Sequence, residues 1–200
     1  MNRYLKLVAG VFLLTLGFLG LLHAARAAAS AWDYYRAHYA AGAATPDEVL
    51  RICERAYRQY PANHWLCLWA TDVAFHDRDS GSKEHWLRCL DDAERWTGRG
   101  LRQNGYDARL REMKARLMVR RRPEEAAAYW RAYLDWAFWS PQNHFVMIEL
   151  CLAAHDYAGA MESLRCVSGF PMAAEGRALV REAWAQEIEQ SMRAVPRHKH

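Results

Sequence analysis

Apolar residues after position 30 recur mostly at three- and four-residue spacing, which is typical of amphipathic α-helices. Sustained alternation of apolar and polar residues is missing, so the pattern predicts no β-strands. The predicted helices are antiparallel pairs followed by a single amphipathic helix; their ranges are 31–41 with 47–60, 63–75 with 83–96, 107–121 with 123–139, 144–155 with 157–167, and 173–192. The sequence therefore predicts an all-α fold with about four helix pairs and a C-terminal capping helix.

The first thirty residues have a different pattern, because Leu7 to Leu22 contains no charged residue. As a helix this stretch, extended by the alanines behind it, is long enough to cross a bilayer. The small residues that follow it also fit the cleavage region of a secretory signal peptide, so both interpretations stay open. The expected organisation is an anchor or signal in 1–30, a helical domain in 31–193 and a basic tail in 194–200. The apolar side chains of the anchor include Leu7, Phe12, Leu16, Phe18 and Leu22.

Charge next to the apolar stretch predicts its orientation. Arg3 and Lys6 precede it, and basic flanks are typical of the cytoplasmic side of a membrane helix. We therefore expect a single-pass protein of the inner membrane, with a cytoplasmic N-terminus and the bulk of the chain in the periplasm. Signal cleavage would instead give a soluble periplasmic or secreted protein.

A short motif occurs twice in the helical region, each time before a new apolar run. The two copies are Pro61-Ala62-Asn63-His64 and Pro141-Gln142-Asn143-His144. A recurring motif at fixed spacing indicates repeat units that bury their apolar faces by stacking on their neighbours. We expect both copies to serve as structural joints between helices.

The helix pairs also carry residues of a known repeat. The stretch 155–160 with Leu164 and Pro171, and the stretch 123–126 with Trp130, resemble the mid-repeat turn and second helix of the tetratricopeptide repeat (TPR) family. In the first pair Val49, Cys53, Ala56 and Pro61 keep the same spacing. Departures are a longer turn at 77–82, a glycine-bearing joint at 97–105, and a helix that continues past the expected proline toward Trp139. The resemblance implies a helical-hairpin solenoid that binds proteins; a Sel1-like or irregular solenoid is the alternative architecture.

Composition agrees with a folded domain, since 52% of the residues are hydrophobic and 25% are charged. The sequence contains no Gly-x-Ser-x-Gly nucleophile motif, no glycine-rich phosphate loop and no paired Cys-x-x-Cys zinc motif. The run 76–79 is interpreted as a solvated turn at a helix end. We therefore expect neither catalysis nor a metal or other cofactor.

Basic and aromatic residues cluster in the middle of the chain. A basic run is commonly a solvated face and aromatic rings commonly pack in a core, but together they are also candidates for a contact surface. The candidate partner-binding residues are Arg109, Arg111, Lys114, Arg116, Arg120, Trp136, Phe138 and Trp139. Three large rings so close in sequence cannot all lie on one buried stripe of a helix. The predicted partner is another envelope or membrane protein; anionic lipid or a glycan is also a candidate, whereas nucleic acid is not.

Five cysteines in an exported chain would meet oxidising conditions. Cys151 and Cys166 lie at equal distances from a predicted turn, as Cys67 and Cys89 do from another, so both pairs are candidate disulfides. Cys53 is a second possible partner of Cys67. The alternative is that all five cysteines are buried free thiols, since cysteine is a normal core residue.

Taken together, the sequence predicts a membrane-anchored, periplasm-facing adaptor that helps to assemble or stabilise an envelope complex. One alternative is a glycan-binding accessory module that uses the aromatic and basic surfaces. The other is an accessory subunit of a membrane complex, held there by its transmembrane helix.

Overall fold

The computed structural model describes residues 3–39, 45–77 and 81–194, with side chains to residue 190. Within these ranges every regular element is an α-helix, which confirms the all-α prediction. The helices are α1 Arg3–Tyr39, α2 Pro46–Gln59, α3 His64–Asp77, α4 Lys83–Gln103, α5 Ala108–Val119, α6 Pro123–Leu134, α7 Pro141–Ala153, α8 Tyr157–Cys166 and α9 Ala173–Ala194.

The chain forms two compact units, Met1–Leu110 and Arg111–His200, and the boundary lies inside α5. In the first unit each of α1 to α3 packs on the next helix along the chain. In the second unit α6 packs on α7, α7 packs on α8, and α9 contacts both α7 and α8. Both units thus use the packing of consecutive antiparallel helices that is typical of helical repeats.

Helix α1 joins the apolar stretch to the first repeat helix without a break. Its buried residues are Ser30 and Ala37, both beyond the apolar stretch. The Asp33 carboxylate accepts two hydrogen bonds from the Arg55 guanidinium of α2, at 3.0 and 3.1 Å. The C-terminal part of α1 is therefore docked on α2.

The start of α2 is fixed by local chemistry. The Thr45 hydroxyl accepts from the Glu48 backbone N–H at 3.4 Å, and the Glu48 carboxylate accepts from the Thr45 N–H at 3.1 Å. Pro46 occupies the first helical turn, where its missing N–H costs no hydrogen bond. The predicted start of this helix is confirmed.

The glycine-bearing joint predicted at 97–105 is wrong, because α4 continues to Gln103. Gly100 is buried in the helix at a close contact: a Cβ there would lie 2.6 Å from Leu110 Cδ1 and 3.0 Å from Cys67 Cβ. The glycine therefore permits close packing inside the first unit and does not break the helix.

The second helix of the third pair ends at Leu134, so its predicted extension to Trp139 is also wrong. The Asn143 side-chain amide donates to the Ala137 carbonyl at 2.9 Å, and His144 Nε2 lies 2.8 Å from the Phe138 carbonyl oxygen. These side chains of the second Pro-x-Asn-His motif hold residues 135–139 in an irregular turn. Trp130 secures the same joint, since its indole N–H donates to the Asn143 carbonyl at 2.9 Å.

The first copy of the motif has a related role with different bonds. Asn63 caps α3, since its side-chain oxygen accepts from the Leu66 N–H at 3.2 Å. His64 Nε2 lies 3.7 Å from an Asp107 carboxylate oxygen. Both copies therefore bond within the joints between helices, as a scaffolding role requires.

Two glycines of α4, Gly98 and Gly100, offer a matched test of the close packing at Gly100. Gly98→Ala adds a methyl group whose closest neighbour is Arg102 Nη1 at 3.8 Å, so we expect it to raise the free energy of unfolding by about 0.5–1 kcal/mol through helix propensity. Gly100→Ala is expected to lower it by about 1–3 kcal/mol through overpacking against Leu110 and Cys67. Urea unfolding of both variants measures the difference; equal effects would contradict the close contact at Gly100.

Candidate functional site

Cations of α5 lie against tyrosine rings of α6 in the second unit. Lys114 Nζ is 4.8 Å from the centre of the Tyr129 ring. The Arg111 guanidinium carbon is 5.0 Å from the centre of the Tyr133 ring and 5.7 Å from that of Tyr129. At these distances a cation is attracted by the electron-rich face of an aromatic ring. The contacts hold two of the predicted basic residues in defined positions.

The ring contacts continue from α6 into the turn at 135–139. Ring centres are 5.8 Å apart between Tyr133 and Trp136, and 5.4 Å apart between Trp136 and Trp139. The Phe138 ring centre is 5.7 Å from that of Trp139. We call this set the basic–aromatic surface. Its exposed rings are Trp136, Phe138 and Trp139, its partly buried members are Arg111, Lys114 and Tyr129, and the buried Tyr133 ring connects the two groups.

Exposure of the three turn rings follows from the early end of α6. Trp136 is 51% exposed, and Phe138 and Trp139 are each 63% exposed, whereas Ala137 between them is buried. Because the rings lie in an irregular turn, no helical periodicity directs them inward. The three rings that were expected to be hard to bury are exposed, although they lie in a turn and not in the predicted helix.

The basic–aromatic surface combines positive charge with aromatic rings. Trp, Tyr and Arg are the residues that most often dominate binding energy, and here they are contiguous. Burial raises the pKa of Tyr129, opposed by the nearby Arg111 charge, so its hydroxyl is a neutral donor at physiological pH. The surface offers positive charge beside broad apolar faces, which suits a segment that combines carboxylates with apolar side chains.

The structure treats the other predicted basic residues differently. Arg116 donates to Glu112 at 2.9 Å and to Glu149 of α7 at 2.7 Å, so its guanidinium forms ion pairs inside the second unit. Arg109 lies at an exposed position in the first unit, and Arg120 is exposed just after α5. Partner binding stays a prediction for these three residues, as it does for the members of the basic–aromatic surface.

A second basic feature lies in the first unit, beside the apolar stretch. It is an open cleft of about 740 Å³ lined by Arg26, Arg51, Glu54, Arg55, Arg58 and Gln59. Arg26 follows Leu22 by about one turn of α1. The His23 and Tyr60 ring centres are 5.0 Å apart, so the C-terminal end of α2 lies beside the part of α1 that follows Leu22.

This arginine cleft was not predicted, because arginine and lysine are denser in the segment 95–122, from which the candidate basic residues were chosen. A signal was available, since Arg51, Arg55 and Arg58 have the spacing i, i+4, i+7 and therefore share one face of α2. Arg55 is held by Asp33, and Arg58 Nε lies 3.4 Å from Glu54 Oε1. Their guanidinium groups are therefore partly committed to these carboxylates.

The described part of the chain has one helix, α1, that is long and apolar enough to cross a membrane. A signal sequence meets the same criteria of length and composition. The five predicted anchor side chains are exposed, from 40% at Leu22 to 68% at Leu7. Among the described residues, no other helix covers this apolar surface.

The structure supports neither predicted disulfide, because all five cysteines, which lie in the described ranges, are free thiols. Cys151 is buried with its sulfur 3.7 Å from Asp156 Oδ2, whereas Cys166 is exposed at the end of α8. Equal distance from a turn gives two residues equal height in a hairpin, but the helical rotation decides which face each occupies. That second condition was missing from the prediction.

The two cysteines of the other candidate disulfide, Cys67 and Cys89, also face different neighbours. Cys67 is buried beside Gly100, and burial raises the pKa of its thiol to about 12, as it does for Cys53. Cys89 instead faces the end of α3, where burial and the Asp77 charge raise the pKa of its thiol.

Around Cys89 the structure assembles a cluster of three potential metal ligands, Asp77, His85 and Cys89. His85 Nε2 lies 3.1 Å from Asp77 Oδ2 and 3.4 Å from Cys89 Sγ. The solvated-turn interpretation fails for Asp77, whose side chain is only 16% exposed; Arg78 and Asp79 lie outside the described residues. The signal in the sequence was His85-x-x-x-Cys89, which places both side chains on one face of a helix.

Comparison with known proteins bears on the fold alone. No protein-family model matches the chain, and no curated protein matches it. A solved structure, that of a thermophilic TPR protein from Thermus thermophilus, aligns with a TM-score of 0.60 over 76% of this chain and 80% of that one, at 14% identity. The fold of this chain is therefore TPR-like, and the resemblance found in its residues is confirmed at the level of architecture.

Proposed function

We propose that this protein is a membrane-anchored, periplasm-facing adaptor that binds another envelope or membrane protein. The observation that carries the proposal is the basic–aromatic surface, in which Arg111 and Lys114 are ordered against tyrosines that lead into three exposed rings. TPR-like folds typically serve as scaffolds for protein–protein interaction. A non-catalytic role in assembling or stabilising an envelope complex agrees with that fold.

The chemistry of the surface defines the partner segment. Rings that are already in contact lose little conformational freedom on binding, so their apolar area is available for affinity. Arg111 and Lys114 add a preference for carboxylates next to the apolar side chains. The partner segment is therefore acidic and aromatic or aliphatic, as an exposed loop or tail of a membrane protein can be.

A photo-crosslinking experiment tests this surface in intact cells. A photoactivatable phenylalanine analogue replaces Phe138, or as a matched control Phe170, which is 46% exposed in the same unit. We expect a discrete adduct from position 138 and none of that mass from position 170. Arg111→Gln should reduce the adduct about 10-fold or more, as loss of a binding hot spot does, whereas Arg165→Gln should not.

Two outcomes would contradict the adaptor proposal. Adducts of equal yield from positions 138 and 170 would show contact without a defined surface. A polysaccharide ladder in place of a discrete protein adduct would favour the glycan-binding alternative.

The arginine cleft favours a second contact, with anionic lipid headgroups. Its position one helical turn beyond the apolar stretch places it at the headgroup level if α1 spans the bilayer. A basic residue near an anionic surface contributes about 1 kcal/mol of attraction. The contact would fix how the first unit lies on the membrane.

Hydrogen exchange of the full chain in nanodiscs tests the lipid contact. We expect phosphatidylglycerol to slow exchange in α2 relative to phosphatidylcholine, and the double variant Arg26→Gln/Arg51→Gln to remove most of that difference. The matched variant Arg88→Gln/Arg95→Gln changes exposed arginines of α4 and should keep it. Identical exchange of the natural chain in both lipids would contradict the contact.

A further inference from the structure

We propose that Asp77, His85 and Cys89 form a binding site for a divalent transition-metal ion of the zinc class. The three ligand atoms are separated by 3.1 Å (nitrogen to carboxylate oxygen), 3.4 Å (nitrogen to sulfur) and 3.8 Å (sulfur to oxygen). Ligand atoms bonded tetrahedrally to Zn²⁺ at about 2.0–2.3 Å lie about 3.3–3.6 Å from one another. The observed separations of 3.1, 3.4 and 3.8 Å lie within about 0.2 Å of that range, so the side chains converge close to the spacing of a tetrahedral site.

Local structure presents these ligands together. His85 and Cys89 lie one turn apart on the same face of α4. The start of that helix is set by Ser82, whose hydroxyl accepts from the His85 N–H at 3.3 Å. Asp77 is the last residue of α3, the helix that pairs with α4.

Gly81 makes the position of the imidazole possible. A Cβ at Gly81 would lie 2.6 Å from His85 Cδ2 and 2.8 Å from His85 Cγ, and both distances are shorter than Cβ contacts in real structures. The backbone of residue 81 therefore packs directly on the ring, and any larger residue would displace it. Such support orients the ring and limits its rotation.

The charges of the ligand set match a dication. A Cys89 thiolate and an Asp77 carboxylate carry two negative charges, and neutral His85 adds none, so a bound Zn²⁺ would be balanced. Balance matters because Cys89 is buried and the His85 side chain is only 23% exposed. The backbone carbonyl oxygen of Asp77 lies 3.1 Å from His85 Nε2 and is a further potential metal ligand beside the site.

The ligand types select the class of ion. Thiolate and imidazole together favour Zn²⁺ and related transition metals over Mg²⁺ or Ca²⁺, which prefer oxygen ligands alone. On binding, the Cys89 thiol loses its proton to solvent and its sulfur bonds to the metal, without any redox change. The ion would link the C-terminal end of α3 to the first turns of α4. The proposed metal site does not rest on the basic–aromatic surface, which belongs to the other unit.

Titration of the reduced, tag-free full chain in detergent with Co²⁺ tests the site. We expect one equivalent to produce a sulfur-to-cobalt charge-transfer band together with the intense d–d bands of tetrahedral cobalt, and Zn²⁺ to displace it. Cys89→Ser should abolish the charge-transfer band and weaken binding about 100-fold or more, whereas Cys166→Ser should leave both unchanged. Circular dichroism checks that each variant keeps its helices.

Two further variants separate metal ligation from a hydrogen-bonded cluster without an ion. His85→Gln should weaken Co²⁺ binding strongly, whereas His76→Gln, at an exposed position on α3, should not. Gly81→Ala should weaken it about 10–100-fold by displacing the imidazole. Absence of the charge-transfer band from the natural chain, or a band that survives Cys89→Ser, would overturn the proposal.

Discussion

One unbroken helix, α1, has to satisfy two different surroundings. The apolar side chains of α1 from Leu7 to Leu22 are exposed, whereas Ser30 and Ala37 of the same helix are buried. In water the stretch from Leu7 to Leu22 is unfavourable, because a continuous apolar surface stays uncovered. A bilayer about 30 Å thick covers it fully. With α1 in a bilayer, as proposed, the repeat helices would start at the membrane surface, and the Asp33–Arg55 ion pair would hold α2 against α1 there.

The scaffold and the proposed contact surface are linked through the end of α6. Asn143 and His144 bind the carbonyls of Ala137 and Phe138, and so keep the turn that exposes the three rings. A motif that recurs for structural reasons therefore produces, in its second copy, the irregular segment on which partner binding is proposed. Irregular turns between regular helices commonly carry the function of a repeat protein, because they vary without disturbing the stack.

Features that depend on local chemistry could be predicted from the sequence. The starts of helices follow from capping and proline positions, as at Thr45 and Pro46, and the helical spacing of apolar residues gives the pairing. Features that depend on distant contacts could not. Gly100 has the sequence of a break but serves close packing with Leu110, and α6 ends early because Asn143 captures a carbonyl beyond it. The cluster of Asp77, His85 and Cys89 was missed for the same reason, since its members meet only when α3 and α4 pair.

The proposed adaptor role requires that α1 is retained in the membrane, and mass spectrometry of the native protein tests this retention. The protein is recovered from its own cells after a carbonate wash of the membranes, and its N-terminal peptides are sequenced. We expect the chain to stay in the membrane fraction and still to contain residues 3–22. A chain that begins after the small residues near position 30 and is recovered in the soluble fraction would contradict it.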